Sequence, residues 1–307
     1  VPRYNSRKVV DRIIGDKDMD VRAIGMGLLF ALIWSSAFTS ARIIVADASP
    51  LASLALRFCL SGLIGVAIAK ALGQSMRLTR DQWKATFVFG LCQNALYLGL
   101  NFYAMQTIEA SIASIIASTM PLMVAFASWV IFRERLPFSG IAGLALGIIG
   151  VAMIMTSRIE AGVDIVGLAL CLVGATALTV ATLSMRNASS GGNLLMIVGL
   201  QMLVGSAVLA IASVTTETIH ATLSTPVVLA FVYTTLAPGL FATWIWFKLV
   251  ERIGAVRAAT FHFLNPFFGV AIAAAILGEA LGLYDVIGVT IIAIGILAVQ
   301  LSRQRKA

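Results

Sequence analysis

Apolar runs of the length that crosses a bilayer, about 20 residues, fill almost all of this chain, and polar residues gather in narrow bands between them. Ten such spans can be drawn, near 22–46, 51–72, 83–103, 109–132, 138–157, 163–185, 193–213, 226–249, 256–278 and 283–301. The pattern predicts an all-α integral membrane protein of ten transmembrane helices. The first span follows a charged segment, 1–21, that lacks a small-residue cleavage site, so no cleavable signal peptide is expected.

Composition agrees: 60% of residues are apolar and only 12% charged, against roughly 25% charged in soluble domains. The charge is one-sided. Nineteen of the 22 Lys and Arg residues fall on the side of the amino terminus, Arg158 alone on the other, and Arg42 and Arg57 inside spans. By the positive-inside rule both termini are cytoplasmic, in a multi-pass protein of the inner (plasma) membrane. The net charge of +8 belongs to loops scattered between spans, which excludes a nucleic-acid surface and fits contact with anionic lipid. Cys59, Cys92 and Cys171 sit in apolar runs without metal or disulfide spacing, so no metal and no cofactor is expected.

The chain also repeats itself. A shift of 145 residues lays Pro121 on Pro266, Glu134 on Glu279, Leu136 on Leu281, Gly143 on Gly288 and Gly150 on Gly295 without a gap. A shift of 140 lays Gly27 on Gly167 and Thr39 on Thr179. The two units are 22–157 and 163–302, after the segment 1–21. Each has five spans, an odd number, so the second enters the membrane from the opposite face and the repeats are inverted. Inverted repeats that exchange shapes expose a central site to each side in turn.

At this point the residues resemble a known family. Trp34-Ser35-Ser36 with Phe38, then Arg57-Phe58, resemble the opening of an EamA-type unit. Pro121, Glu134, Leu136, Gly143, Gly147 and Gly150, and again Pro266, Glu279, Leu281, Gly288 and Gly295, resemble its closing pattern. The resemblance implies the drug/metabolite transporter superfamily of ten-helix exporters, and within it the amino-acid exporters of the YddG kind. It also implies that the fifth and tenth helices are supports and not cavity walls. The second copy departs from the pattern: Gly174 stands for the Trp, and the seventh span has no Arg.

Lipid cannot satisfy hydrogen-bonding side chains, so polar groups within spans should face a cavity or another helix. The candidates for a substrate cavity are Trp34, Ser35, Phe38 and Thr39 in the first span, Asn94, Tyr97 and Asn101 in the third, and Ser114 and Ser118 in the fourth. Thr176 and Thr179 in the sixth span, Tyr233 and Trp244 in the eighth and His262 in the ninth complete the set. Each has a plainer reading. Serine and threonine can bond their own helix or mediate packing, and Trp244 and Trp246 suit an interfacial belt. His262 is open to three roles, as proton site, substrate contact or packing residue. Arg42, five residues from Asp47 at the outer boundary, can snorkel in a structural role, and Arg57 can attract a carboxylate or serve as a structural hydrogen-bond donor. Glu134 and Glu279 suit caps or pairs at span ends. Pro121, Pro238 and Pro266 interrupt spans and are the candidate hinges. Gly140, Gly143, Gly147 and Gly150 form a face for close helix packing.

The expectation is therefore a transporter, not an enzyme, exporting amino acids or similar small neutral or amphipathic metabolites. Its partners are that small molecule and the bilayer, as a monomer or homodimer, with no nucleic acid. No acidic residue lies near a span centre, which favours facilitated export over a proton relay. The rivals are a nucleotide-sugar or phosphate-ester carrier, which needs more buried cations, and a membrane-embedded enzyme, which needs a cluster of ionisable groups.

Overall fold

The computed structural model describes residues 21–133, 137–184, 192–253 and 255–304. The charged segment 1–20, Glu134, Leu136 and Arg186 lie outside them. The described residues form ten helical runs: α1 (Val21–Asp47), α2 (Pro50–Ala71), α3 (80–104), α4 (Ala110–Phe132), α5 (Phe138–Glu160), α6 (Ile165–Ser184), α7 (Leu194–Thr216), α8 (225–253), α9 (255–277) and α10 (Leu283–Gln304). Nine of them, all but α3, are long and apolar enough to cross a membrane. Against ten predicted spans, α3 falls short on this measure; it carries Gln82, Gln93, Asn94 and Asn101. The outward flanks are greasy, with Ile148, Val166 and Ile211 exposed. In water such a surface would aggregate; in a bilayer it is the solvated face.

Consecutive helices run up and down, so the bundle has two ends. One, the basic end, holds residues 72–79 and 192–193, tied by Asn193 Oδ1 accepting from Ser75 N (2.9 Å) and Gln74 Oε1 from Met196 N (2.9 Å). The other end, where α1 meets α2 and α9 meets α10, is laced by many more contacts. Helix starts there are capped from far along the chain. Glu217 accepts the N–H groups of Leu51 and Ala52 at 2.9 and 3.1 Å, and Glu279 those of Ala110 and Ser111 at 2.8 and 3.0 Å. A carboxylate at a helix start satisfies otherwise orphaned donors and meets the positive end of the dipole. Glu279 thus caps the fourth helix, not the turn that follows it in sequence.

Four helices carry interruptions at related places. In α3 the segment Gly90–Tyr97 is π-helical, and in α8 so is Thr235–Phe241, which lies 145 residues on and contains Pro238. In α4 the helix pauses at Thr119 before Pro121, and α9 narrows to a 3-10 turn at Phe261–Leu264 before Pro266. The helix closing ahead of each following turn ends left-handed, at Arg133 (φ 53°) and at Gly278 (φ 69°). These positions too differ by 145.

Two pairs of helices pack at backbone distance. The small-residue face of α5 lies on α10: a β-carbon on Gly143 would stand 2.7 Å from Gly295 O, and one on Gly150 would stand 2.8 Å from Gly288 O. Likewise α2 lies on α7, where a β-carbon on Gly199 would meet Gly62 O at 3.0 Å. Between the bundle's middle and its laced end, Phe38, Leu54, Phe102, Met105, Ile112 and Leu168 belong to one buried apolar cluster.

Candidate functional site

A cavity of about 360 Å³ lies inside the bundle. It is walled by α1 to α4 and α6 to α9, with no residue from α5 or α10. It runs from Arg57, Tyr97 and Pro238 at mid-depth to Thr182 and Leu194 at the helix ends of the basic side. Beyond Arg57 it narrows to a space of about 50 Å³ bounded by Ala41, Asn101, Phe102 and Met105. The cavity volume falls within the range of small-molecule sites.

Of the side chains expected in such a site, Trp34, Phe38, Asn94, Tyr97, Ser118 and His262 line the cavity, and Asn101 lines its narrow extension. Pro121 and Pro238 also border it. Trp34 belongs to a ring cluster built on Phe30, whose ring lies 5.5 Å from Trp34, 4.9 Å from Trp246 and, edge-on, 5.4 Å from His262. His262 Nδ1 accepts from Asn265 Nδ2 at 2.9 Å, which leaves the imidazole proton on Nε2. Asn94 donates to Gln201 O at 3.0 Å, joining α3 to α7. Asn101 donates to Tyr97 O at 2.7 Å, and its Oδ1 has no partner among the described residues. Gly174, where the family pattern has Trp, lets α6 approach that pair: a β-carbon there would lie 2.9 Å from Asn101 Nδ2.

The structure places the other candidates away from the cavity wall. Ser35, Thr39, Ser114 and Thr179 are buried between helices and do not line the cavity. Ser35 donates to Asn265 O at 3.2 Å, and Thr179 donates to Ala175 O at 2.9 Å. Ser114 packs against Gly269, where a β-carbon would overlap it. Thr176, Tyr233 and Trp244 face outward. Thr176 donates back to Leu172 O, Tyr233 is 40% exposed with its hydroxyl 2.6 Å from Ser36 Oγ, and Trp244 is 52% exposed, stacked on Phe241. Trp244 and Trp246 are two residues, about 200°, apart around a helix, so only one of them can face inward. Pro266 is buried at the start of the second half of α9, away from the cavity wall.

Gln93, Thr182 and Gln201, outside the candidate set, also line the cavity. Gln93 and Gln201 are amides well inside apolar runs, the same signal that marks Asn94 and Asn101. Arg57, also outside that set, is 6% exposed, borders both the cavity and its extension, and holds its Cζ 5.2 Å from the centre of the Phe58 ring. Arg42 Nη1 donates to the carbonyls of Met105 and Gln106.

The far end of the bundle is closed by polar contacts. Arg158 forks onto Asp285, with Nη2 to Oδ2 at 2.8 Å and Nε to Oδ1 at 3.2 Å, and its Nη1 reaches Glu109 Oε2 at 2.8 Å. Thr107 donates to Asp164 at 2.6 Å. Loop residues Ala48 and Ala221 pair as an isolated bridge, with Thr222 N donating to Asp47 O at 2.8 Å.

Comparison with known proteins places these features. The EamA-like transporter family matches residues 21–156 and again 165–301. The "Uncharacterized transporter YvbV" of Bacillus subtilis (strain 168) is 25% identical over 278 residues, 90% of this chain and 91% of that protein. The "Uncharacterized inner membrane transporter YedA" of Escherichia coli (strain K12) is 25% identical over 286 residues, 90% of each. The "S-adenosylmethionine/S-adenosylhomocysteine transporter" of Chlamydia trachomatis serovar L2 is 29% identical over 127 residues, 41% of this chain and 39% of that protein. A crystal structure superposes with a TM-score of 0.67 at 20% identity, over 94% of this chain and all of that one, and so shares the fold.

Proposed function

The chain belongs to the EamA-like transporter family, and on that premise we propose that it exports amino acids or similar small neutral or amphipathic metabolites by alternating access. It is a multi-pass membrane transporter. The observation that carries the finer reading is the one-sided cavity, continuous to the basic end and ending at the other against Ala41, Phe102 and Met105. This is one of the two shapes that alternating access requires.

In this reading ten helices cross the inner membrane with both termini cytoplasmic, so the cavity faces the cytoplasm and loads cargo for export. The one-sided Lys and Arg distribution supports that orientation. Two inverted five-helix units are supported by the matched interruptions of α3 with α8 and of α4 with α9, and by the antiparallel glycine contacts of α5 and α10. Pro121, Pro238 and Pro266 then act as the bending points. Among the described residues no carboxylate lines the cavity, which suits facilitated export. A nucleotide-sugar or phosphate-ester cargo is less favoured, because Arg57 is the one permanent cation among the described lining residues.

A second reading, transport of an adenosyl-bearing amino acid, is favoured by the aromatic cluster of Phe30, Trp34 and Trp246 and by the relative named for S-adenosylmethionine. Such rings can stack on a purine. Counterflow in proteoliposomes against labelled amino acids, S-adenosylmethionine and nucleotide sugars tests all three. Exchange of amino acids alone is expected. Exchange of nucleotide sugars alone, or of nothing, defeats the proposal.

A further inference from the structure

We propose that Arg57 is the contact for a carboxylate on the transported molecule. This rests on the transport reading above and narrows the cargo to compounds bearing a single carboxylate. Arg57 lies seven residues into α2, about 10 Å from its start, too deep for its head to reach the helix end by snorkelling. Nine-tenths or more of the residue is buried, and Nε has no hydrogen-bond partner among the described residues. Among the described residues, no aspartate or glutamate lies on the wall of the cavity or of its extension. A guanidinium stays charged in a protein, and a buried charge without a counter-charge costs several kcal/mol.

The other arginine within a span shows what a structural role looks like here. Arg42 spends its donors on two backbone carbonyls at the end of α3. Arg57 instead lies beside Gly239, where a β-carbon would stand 3.7 Å from its Nη2, in ordinary contact. Phe58 supplies a ring face to one side. The fork geometry of guanidinium matches the two oxygens of a carboxylate. A phosphate ester, carrying nearly two charges, would want a second cation, and the described lining residues include no other that is permanent. Trp34 borders both Arg57's space and the ring cluster. A cargo held at its carboxylate would therefore lay its apolar or cationic remainder against those rings.

Full-length protein in nanodiscs is titrated with neutral L-amino acids and, compound for compound, with their carboxamides. Tryptophan emission reports binding, because Trp34 and Trp246 border the cavity. At least one acid is expected to bind about tenfold or more tightly than its amide, the size of one charge-assisted hydrogen bond. That gap should vanish in Arg57→Gln and survive in part in Arg57→Lys. The acid–amide comparison in the unsubstituted protein needs no variant to fold. Equal binding of acid and amide, an undiminished gap in Arg57→Gln, or no binding of any acid overturns the assignment. Acid-selective binding without counterflow would leave Arg57 as the anion contact and remove transport. Counterflow that treats acids and amides alike would do the reverse.

Discussion

Gly143 and Gly295 face each other so closely that a β-carbon on either would come within 2.7 Å or 2.6 Å of the other's carbonyl oxygen. Gly150 faces Gly288 in the same way. The four positions are related by the 145-residue shift, 143 to 288 and 150 to 295, so each residue touches the counterpart of the other. Reciprocal contact of this kind is what a two-fold relation produces. It explains why the glycines recur in both copies: backbone approach between α5 and α10 leaves no space for a methyl group, and packing is what drives helix association in lipid.

Gly143→Ala or Gly295→Ala should therefore destabilise the protein by about 1–3 kcal/mol, the usual cost of overpacking. The double substitution should cost less than the sum, since one separation of the helices relieves both. Thermal unfolding in detergent, followed by tryptophan emission, reads the effect. Ile148→Ala, on the exposed flank of the same helix, is the control and should leave the melting temperature unchanged.

Arg158 joins α5 to the starts of α4 and α10 through Glu109 and Asp285. If this triad holds one end shut, Arg158→Ala should shift the population toward the shape open at that end. In a variant whose native cysteines have been replaced, Ala41→Cys lies in the narrow extension. Labelling of that cysteine by an impermeant maleimide applied from the Arg158 side should rise several-fold when Arg158→Ala is added. Single cysteines at Arg80 and Thr218 should label from opposite sides. Unchanged labelling of the residue-41 cysteine would mean that the triad is not the latch.

Asn101 and Thr176 both look polar and central in the sequence, yet one borders the extension and the other faces outward. Asn101→Leu should lower counterflow at least several-fold while the protein stays folded and monodisperse. Thr176→Val should leave the rate as it is. Equal effects from the two substitutions would mean that bordering the extension confers no role in transport.

Arg133 occupies a left-handed backbone conformation (φ 53°) at the end of α4, where its counterpart in α9 is Gly278 (φ 69°). An L side chain there costs on the order of 1 kcal/mol. Arg133→Gly should accordingly leave the melting temperature unchanged or raise it slightly, by at most about 0.5 kcal/mol of stability once the greater freedom of glycine in the unfolded chain is counted. A lowered melting temperature would show that the arginine side chain holds this turn.

The membrane character, the register of the duplication and the closing glycines were legible in the sequence, because the bilayer imposes length and apolarity on every span and backbone contact admits only glycine. So was the list of polar residues that lipid could not satisfy. What the sequence left open was their direction. The π-helical segments of α3 and α8 alter the helical phase partway along, so a constant 3.6-residue period cannot tell Trp246, on the cavity wall, from Trp244, facing out. Hydroxyls such as those of Thr176 and Thr179 bond their own helices, which removes any need for a cavity. Pairings between distant segments, Glu217 with the start of α2 and Glu279 with the start of α4, and the unpartnered Nε of Arg57, depend on which helices meet. Local pattern governs how each helix forms in lipid, while only packing in three dimensions decides which of its polar groups are spent on neighbours and which remain free for a cargo.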